Sequence, residues 1–254
     1  MSGRYVALGS SFAAGPGIGP GAEGAPTFAG RSSVNYPHLV AERMGYDLVD
    51  VTFSGAATAN ILTDGQHGAP PQIEAIDGSE ALVTVTIGGN DAGYLMMLMA
   101  AGVPRWVRKA PFIGRAVRTQ LHPDVRRTAL APVGDALRTV GAEVRRRAPE
   151  ARVVFVDYLT VLPSPGVPAP PFSVADLETG RHIGGTLEAL TAAAAAETDC
   201  ELVRASVASR EHHPWSADPW VTKYGWYLPG KVAPLHPNAA GMRAVADLVV
   251  AHLS

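Results

Sequence analysis

The 254-residue chain holds a single cysteine, Cys200, so no disulfide can form within it. It lacks any run of about 18 apolar residues, which argues against a membrane span. It also lacks an excess of either charge, because 21 Lys and Arg stand against 23 Asp and Glu, a formal net charge of −2. That balance offers neither a nucleic-acid footprint nor broad attraction to an anionic membrane. The N-terminal residues Met1 to Leu8 carry no apolar stretch with a small-residue cleavage site of the secretory kind, and a cytoplasmic location is expected. There is no internal repeat, linker or low-complexity tail, so one domain over residues 1–254 is expected. Apolar residues are plentiful, at 47% of the chain against 17% charged, enough for a substantial core.

Apolar runs and helical periodicities alternate along the chain. Arg4 to Leu8, Leu48 to Phe53, Ala81 to Ile87, Arg152 to Tyr158 and Glu201 to Ala205 read as strands. The third is the clearest, since β-branched residues dominate it. Ser33 to Met44, Asp91 to Ala101, Val125 to Ala148, Gly184 to Glu197 and Asn238 to Leu253 read as helices. Such alternation argues for a parallel α/β sheet covered on both faces, with about five strands. Three stretches fall outside the alternation and are expected to be lid or substrate insertions: 102–118, 163–171 and 212–234. The first mixes Trp106, Phe112 and Ile113 with five Lys or Arg, the second is proline-dense, and the third carries three tryptophans and two tyrosines.

Four short motifs carry the chemistry. Gly9-Ser10-Ser11-Phe12 follows the first strand, Ser54-Gly55-Ala56 the second, and Gly88-Gly89-Asn90-Asp91 the third. Leu235-His236-Pro237-Asn238 lies before the last helix. An open parallel sheet gathers its strand ends at one crevice. Each motif has a plain structural use as well: serine and asparagine cap helices, glycine makes turns, and proline opens a helix. Together they supply a hydroxyl, an open backbone amide, a side-chain amide and an imidazole, the parts of an acyl-transfer site. His212-His213 lacks a Cys, Asp or Glu cluster at ligand spacing, so no metal is expected, and no organic cofactor. The G-x-S-x-G elbow of the α/β-hydrolases is absent.

In this order the motifs resemble the conserved blocks of the GDSL, or SGNH, hydrolases. Tyr5-Val-Ala-Leu-Gly-Ser-Ser-Phe is similar to block I, Phe53-Ser-Gly-Ala to block II, Thr86-Ile-Gly-Gly-Asn-Asp to block III, and Pro234-Leu-His-Pro-Asn-Ala-Ala-Gly to block V. Asn35-Tyr36-Pro37 also matches a stretch common in actinobacterial members, and the likeness runs from residue 5 to residue 241. The resemblance implies a three-layer α/β/α flavodoxin-like fold with a central parallel sheet. It implies Ser11 as nucleophile and His236 as general base and then acid. The oxyanion hole would take the amides of Ser11 and Gly55 and the side chain of Asn90.

The chain departs from the family pattern twice. Block I has Asp before the nucleophile, and here that residue is Ser10. Block V has Asp three residues before the histidine, and here that residue is Ala233. Two substitutes for the missing acid are expected: the Ala233 backbone carbonyl, giving a Ser-His dyad, or Asp218 folding back to complete a triad. The carbonyl is preferred, because Asp218 is distant in sequence and also suits a turn cap.

The function expected is a serine hydrolase of carboxylic esters that works through an acyl-serine, an esterase or lipase with a small-molecule or lipid-like substrate. An acyltransferase or lactone-forming enzyme with the same intermediate is the alternative, and a non-catalytic ligand-binding relative a third. Met96, Trp106, Phe112 and Trp220 are candidates to line the substrate pocket.

Overall fold

A computed structural model describes residues 3–110, 113–228 and 231–254 of the chain. The first half runs β1 (Arg4–Gly9), α1 (Ser11–Ala14), α2 (Tyr36–Met44), β2 (Asp47–Asp50), α3 (Thr58–Leu62), β3 (Glu80–Thr86) and α4 (Tyr94–Ala101). Next come α5 (Arg105–Arg108), α6 (Ile113–Leu121), α7 (Pro123–Leu130) and α8 (Val133–Arg147). The chain ends with β4 (Arg152–Val156), α9 (Val174–Glu197), β5 (Glu201–Val203), α10 (Ala205–Ala208) and α11 (Ala239–Leu253).

The five strands form one parallel sheet in the order β2-β1-β3-β4-β5. Val6 of β1 lies opposite Val49 of β2 on one side and Val83 of β3 on the other. Tyr5 to Leu8, Val83, Val85 and Val153 to Phe155 are completely buried, which strands covered on both faces require. Helices α2 and α11 pack together on one face, and α3, α8 and α9 on the other. This is the three-layer, flavodoxin-like arrangement, and the crevice lies at the C-terminal strand ends on either side of the order reversal at β1 and β3.

Several element boundaries differ from the sequence expectation for physical reasons. Regular pairing of β2 stops at Asp50, yet Val51 and Phe53 still donate to Ala7 O and Gly9 O, so the chain follows β1 to the expected end. The helix expected over 125–148 is two helices, because Pro132 has no N–H to continue the first, and α8 starts just after it. The helix expected from Gly184 begins ten residues earlier, at a capping box in which Ser173 and Asp176 satisfy each other's backbone donors. Gly180 and Gly184 weaken the helical signal of its first half. They are needed there because a Cβ at 180 would lie 2.5 Å from Leu162 Cδ1 and one at 184 would lie 3.0 Å from the Tyr94 hydroxyl. Among the described residues, 102–118 contains α5 and part of α6, 163–171 is irregular, and 212–234 holds no helix or strand beyond the 3-10 turn that ends at His212.

The Asn35-Tyr36-Pro37 stretch opens α2 and anchors the crevice from behind. Asn35 caps the helix by accepting the His38 N–H, and its amide donates to Asp50 and to Ala14 O. Asp50 in turn accepts the Thr52 N–H, at the base of the Gly55 turn. The buried Tyr36 hydroxyl bonds Thr86 Oγ1 at the end of β3.

Candidate active site

The Ser10–Ser11 segment leaves β1 at a forced angle. Gly9 has φ +152°, and a Cβ there would lie 2.7 Å from Thr86 O, so only glycine lets the two strand ends come this close. Ser10 N–H then donates to Thr86 O at 2.9 Å. The Gln72 amide holds Gly9 from the far side, accepting its N–H at 2.7 Å and donating to its carbonyl at 3.1 Å. Ser11 is the first residue of the four-residue helix α1, which Gly15 ends in the left-handed conformation. Both serines are buried.

His236 arrives from the opposite rim. Its Nε2 lies 2.9 Å from Ser11 Oγ, and its Nδ1 lies 2.8 Å from Pro234 O. Residues 220–222 run beside residues 236–238: Thr222 donates its N–H to His236 O, Asn238 donates to Trp220 O, and Val221 bridges Pro237. Thr222 Oγ1 donates to Ala233 O at 2.7 Å and accepts the His236 N–H at 3.2 Å. Between them Leu235, fully buried, holds φ +59°, a left-handed backbone that costs a non-glycine residue about 1–2 kcal/mol. Burying the leucine in the core fixes that turn, and the turn aims the Pro234 carbonyl at the imidazole. Ala233 N–H donates to Pro16 O, joining this loop to the chain just past α1.

The acceptor on Nδ1 corrects the expectation placed on Ala233. Its carbonyl is occupied by Thr222 Oγ1, and the next carbonyl along takes the ring. Asp218 is corrected too. It stands beside His212, whose Nδ1 lies 2.8 Å from its carbonyl and 3.3 Å from its carboxylate, and it is largely exposed. No acid replaces the missing aspartate at His236 among the described residues; the partner is a peptide oxygen.

The other strand ends bring up the expected donors. Gly55 has φ +80°, and no neighbour but the Gln66 amide comes within 4 Å of where its Cβ would be. The turn is held by Gln66, whose amide donates to Ser54 O. Asn90 donates from Nδ2 to Ala56 O at 2.8 Å, and Asp91 accepts the N–H and the hydroxyl of Thr58, so the third motif is tied both to the second and to the start of α3. Among the described residues no acceptor takes the backbone N–H of Ser11 or of Gly55.

Burial lowers the His236 pKa below the ordinary imidazole value, and the bond to Pro234 O opposes this more weakly. The ring is therefore neutral over a wider range than free histidine. The ring lies against Phe12, tilted by 41° with centroids 5.5 Å apart.

The expected pocket residues are less cohesive. Met96 and Trp106 are exposed, at 60% and 76%, while their neighbours Met97 and Leu98 are buried in the core. Trp220 stacks on His212 with centroids 3.9 Å apart, and its backbone serves the His236 loop. Phe112 lies outside the described residues. Sequence reasoning missed Pro234, Thr222, Gln72 and Tyr158. Tyr158, just beyond β4, could have been found by the strand-end rule that found the rest. Gln72 left no such signal.

Comparison with known proteins bears on this geometry. Residues 7–244 match the model of the GDSL-like Lipase/Acylhydrolase family. The chain is 32% identical to Lipase 2 of Streptomyces coelicolor, over 96% of this chain and 83% of that protein. It superposes on phospholipase A1 from Streptomyces albidoflavus with a TM-score of 0.80 at 24% identity, covering 100% of this chain and 99% of the other. The extracellular lipase from Streptomyces rimosus gives a TM-score of 0.78 at 25% identity, with 99% of each chain covered.

Proposed function

From its place in the GDSL-like lipase/acylhydrolase family, to which this chain belongs as a carboxylic ester hydrolase, we propose that Ser11 and His236 cleave esters as a dyad through an acyl-serine intermediate. One observation carries the reading: a single imidazole spans Ser11 Oγ and a backbone carbonyl, at 2.9 and 2.8 Å. The Pro234 carbonyl can only accept, so Nδ1 carries the proton. That leaves a lone pair on Nε2, facing the hydroxyl, which is the tautomer a general base needs.

Ser11 Oγ attacks the ester carbonyl as Nε2 takes its proton. The carbonyl oxygen becomes an oxyanion, met by the free N–H groups of Ser11 and Gly55 and by the Asn90 amide. Collapse expels the alcohol, which takes the proton from Nε2, and leaves the acyl-serine. Water, deprotonated by Nε2 in turn, attacks the acyl carbon, and the acid leaves as Ser11 recovers its proton. The Pro234 carbonyl steadies the imidazolium in both halves without gaining a charge of its own. The likeness to Lipase 2 supports lipid-like acyl esters as the substrate class. Trp106 and Met96 offer exposed apolar surface for such a chain. The S. rimosus relative is an extracellular lipase, so the cytoplasmic location expected from the N-terminal residues gains no support from it.

The test is hydrolysis of p-nitrophenyl acetate through decanoate by wild type, Ser11→Ala and His236→Ala, each confirmed folded. Both substitutions should lower kcat by at least about 10³-fold. A folded variant of either kind that keeps activity within tenfold of wild type ends the proposal. The pH profile carries a second signature. A base must be neutral, and the folded-state pKa of His236 is lowered, so the acid limb of kcat/KM should lie below pH 6.5, the ordinary histidine value. It should fall as one proton, since a carbonyl does not titrate.

A further inference from the structure

We propose that Tyr158 is a positioning residue for ester cleavage: its hydroxyl joins the Ser10–Ser11 segment to the Gly89–Asn90 segment and so fixes the spacing of two oxyanion donors. The proposal rests on the acyl-serine reading above.

Tyr158 lies two residues past the end of β4, and β4 neighbours β3, which neighbours β1. From there its side chain reaches across the exit of β3 to the exit of β1. The hydroxyl bonds Ser10 Oγ at 2.9 Å and accepts the Gly89 N–H at 3.0 Å. The ring lies against Phe12, with centroids 4.7 Å apart, and Phe12 in turn meets His236. Gly89 is glycine for this reason: a Cβ there would lie 2.8 Å from Tyr158 Cε1 and Cζ. Burial pushes the phenol up to about 12, with the bonds to Ser10 and Gly89 opposing, so it stays a neutral hydroxyl over the working pH range.

The ladder between β1 and β3 ends with Gly9 opposite Thr86, and the last direct bond is Ser10 N–H to Thr86 O. Beyond it the two segments turn apart, one into α1 and the other into the Gly-Gly turn. Among the described residues, the Tyr158 hydroxyl is the hydrogen-bonding link between them past that point. Asn90 ties the third motif to the second and Asp91 ties it to the start of α3, so the tyrosine closes the remaining side, between the first motif and the third beyond the ladder. Preorganised donors lose effect when their spacing relaxes, because the oxyanion then has to gather them during the reaction. Ser10 stands where the family block has Asp. In this chain its short hydroxyl meets a phenol delivered from another strand.

The experiment compares kcat and KM of wild type, Tyr158→Phe, Ser10→Ala and the double variant on one p-nitrophenyl ester, with melting curves to confirm folding. Tyr158→Phe should lower kcat about tenfold while KM stays within about twofold, because the donors act on the transition state. The acid limb of the pH profile should stay in place, since the phenol does not touch the imidazole. The double variant should be no slower than the slower single one, because both remove the same bond. A folded Tyr158→Phe with kcat within about twofold of wild type overturns the proposal, as do losses that multiply in the double variant. A raised KM with kcat held would make Tyr158 a substrate-binding residue instead, and also overturns it. If Tyr158→Phe does not fold, Ser10→Ala cuts the link from its other end and decides by the same criteria. Failure of the underlying reading shows separately, as undiminished activity in Ser11→Ala.

Discussion

The proposed oxyanion donors stand on the ends of β1 and β3 and on the turn after β2, whereas the proposed base, His236, stands on the chain between α10 and α11. On the donor side every segment is tied to its neighbour across the sheet: Gly9 to Phe53 and Gln72, Ser10 to Thr86 and Tyr158, Asn90 to Ala56, Asp91 to Thr58. On the base side one threonine makes most of the local bonds, and a buried leucine in a left-handed turn sets the angle. A parallel sheet supplies positional order for several donors at once. A loop can place a single ring with equal accuracy, provided one side chain bridges its two passes.

Substitutions on the two sides measure this contrast. Outside the Ser11–His236 pair, Asn90→Ala should cost the most, about 10²–10³-fold in kcat, as expected for one oxyanion donor. It also frees Ala56 O, so melting curves must accompany the kinetics. Thr222→Val keeps the shape but removes the hydroxyl that bonds Ala233 O and the His236 N–H, leaving these two only their mutual 3.3 Å bond, and kcat should fall about tenfold with little change in KM. A Thr222→Val loss as large as that of Asn90→Ala would break the contrast and make the loop as exacting as the sheet. Asp218→Asn should change turnover by less than about twofold, because this carboxylate faces His212 at the surface. A thousandfold loss there would restore a triad acid and overturn the carbonyl assignment.

The sequence showed the donor side well because each of its groups follows a strand, and strands announce themselves by β-branched runs such as Ala81 to Ile87. Ser11, Gly55 and Asn90 could be placed in one crevice by that logic alone. The base side was legible in its residue, His236, and off by one position in its partner. Counting three residues back from the histidine presumes an ordinary backbone, and the left-handed Leu235 presents Pro234 O instead. No propensity scale flags a leucine for φ +59°, since tertiary packing alone imposes it. The break at Pro132 was visible in the chain and was overridden by the amphipathic pattern on either side. The early start of α9 was hidden by glycines that serve close helix contacts.

The bond from His236 Nδ1 to a main-chain oxygen also alters how the site responds to mutation. An aspartate can be deleted by one base change in its codon, while every amino acid carries a carbonyl. Position 234 therefore encodes its acceptor through the course of the turn, and any residue that preserves that course preserves the bond. The vulnerable codons lie at its flanks, at Thr222 and Leu235, where a side chain does hold the path.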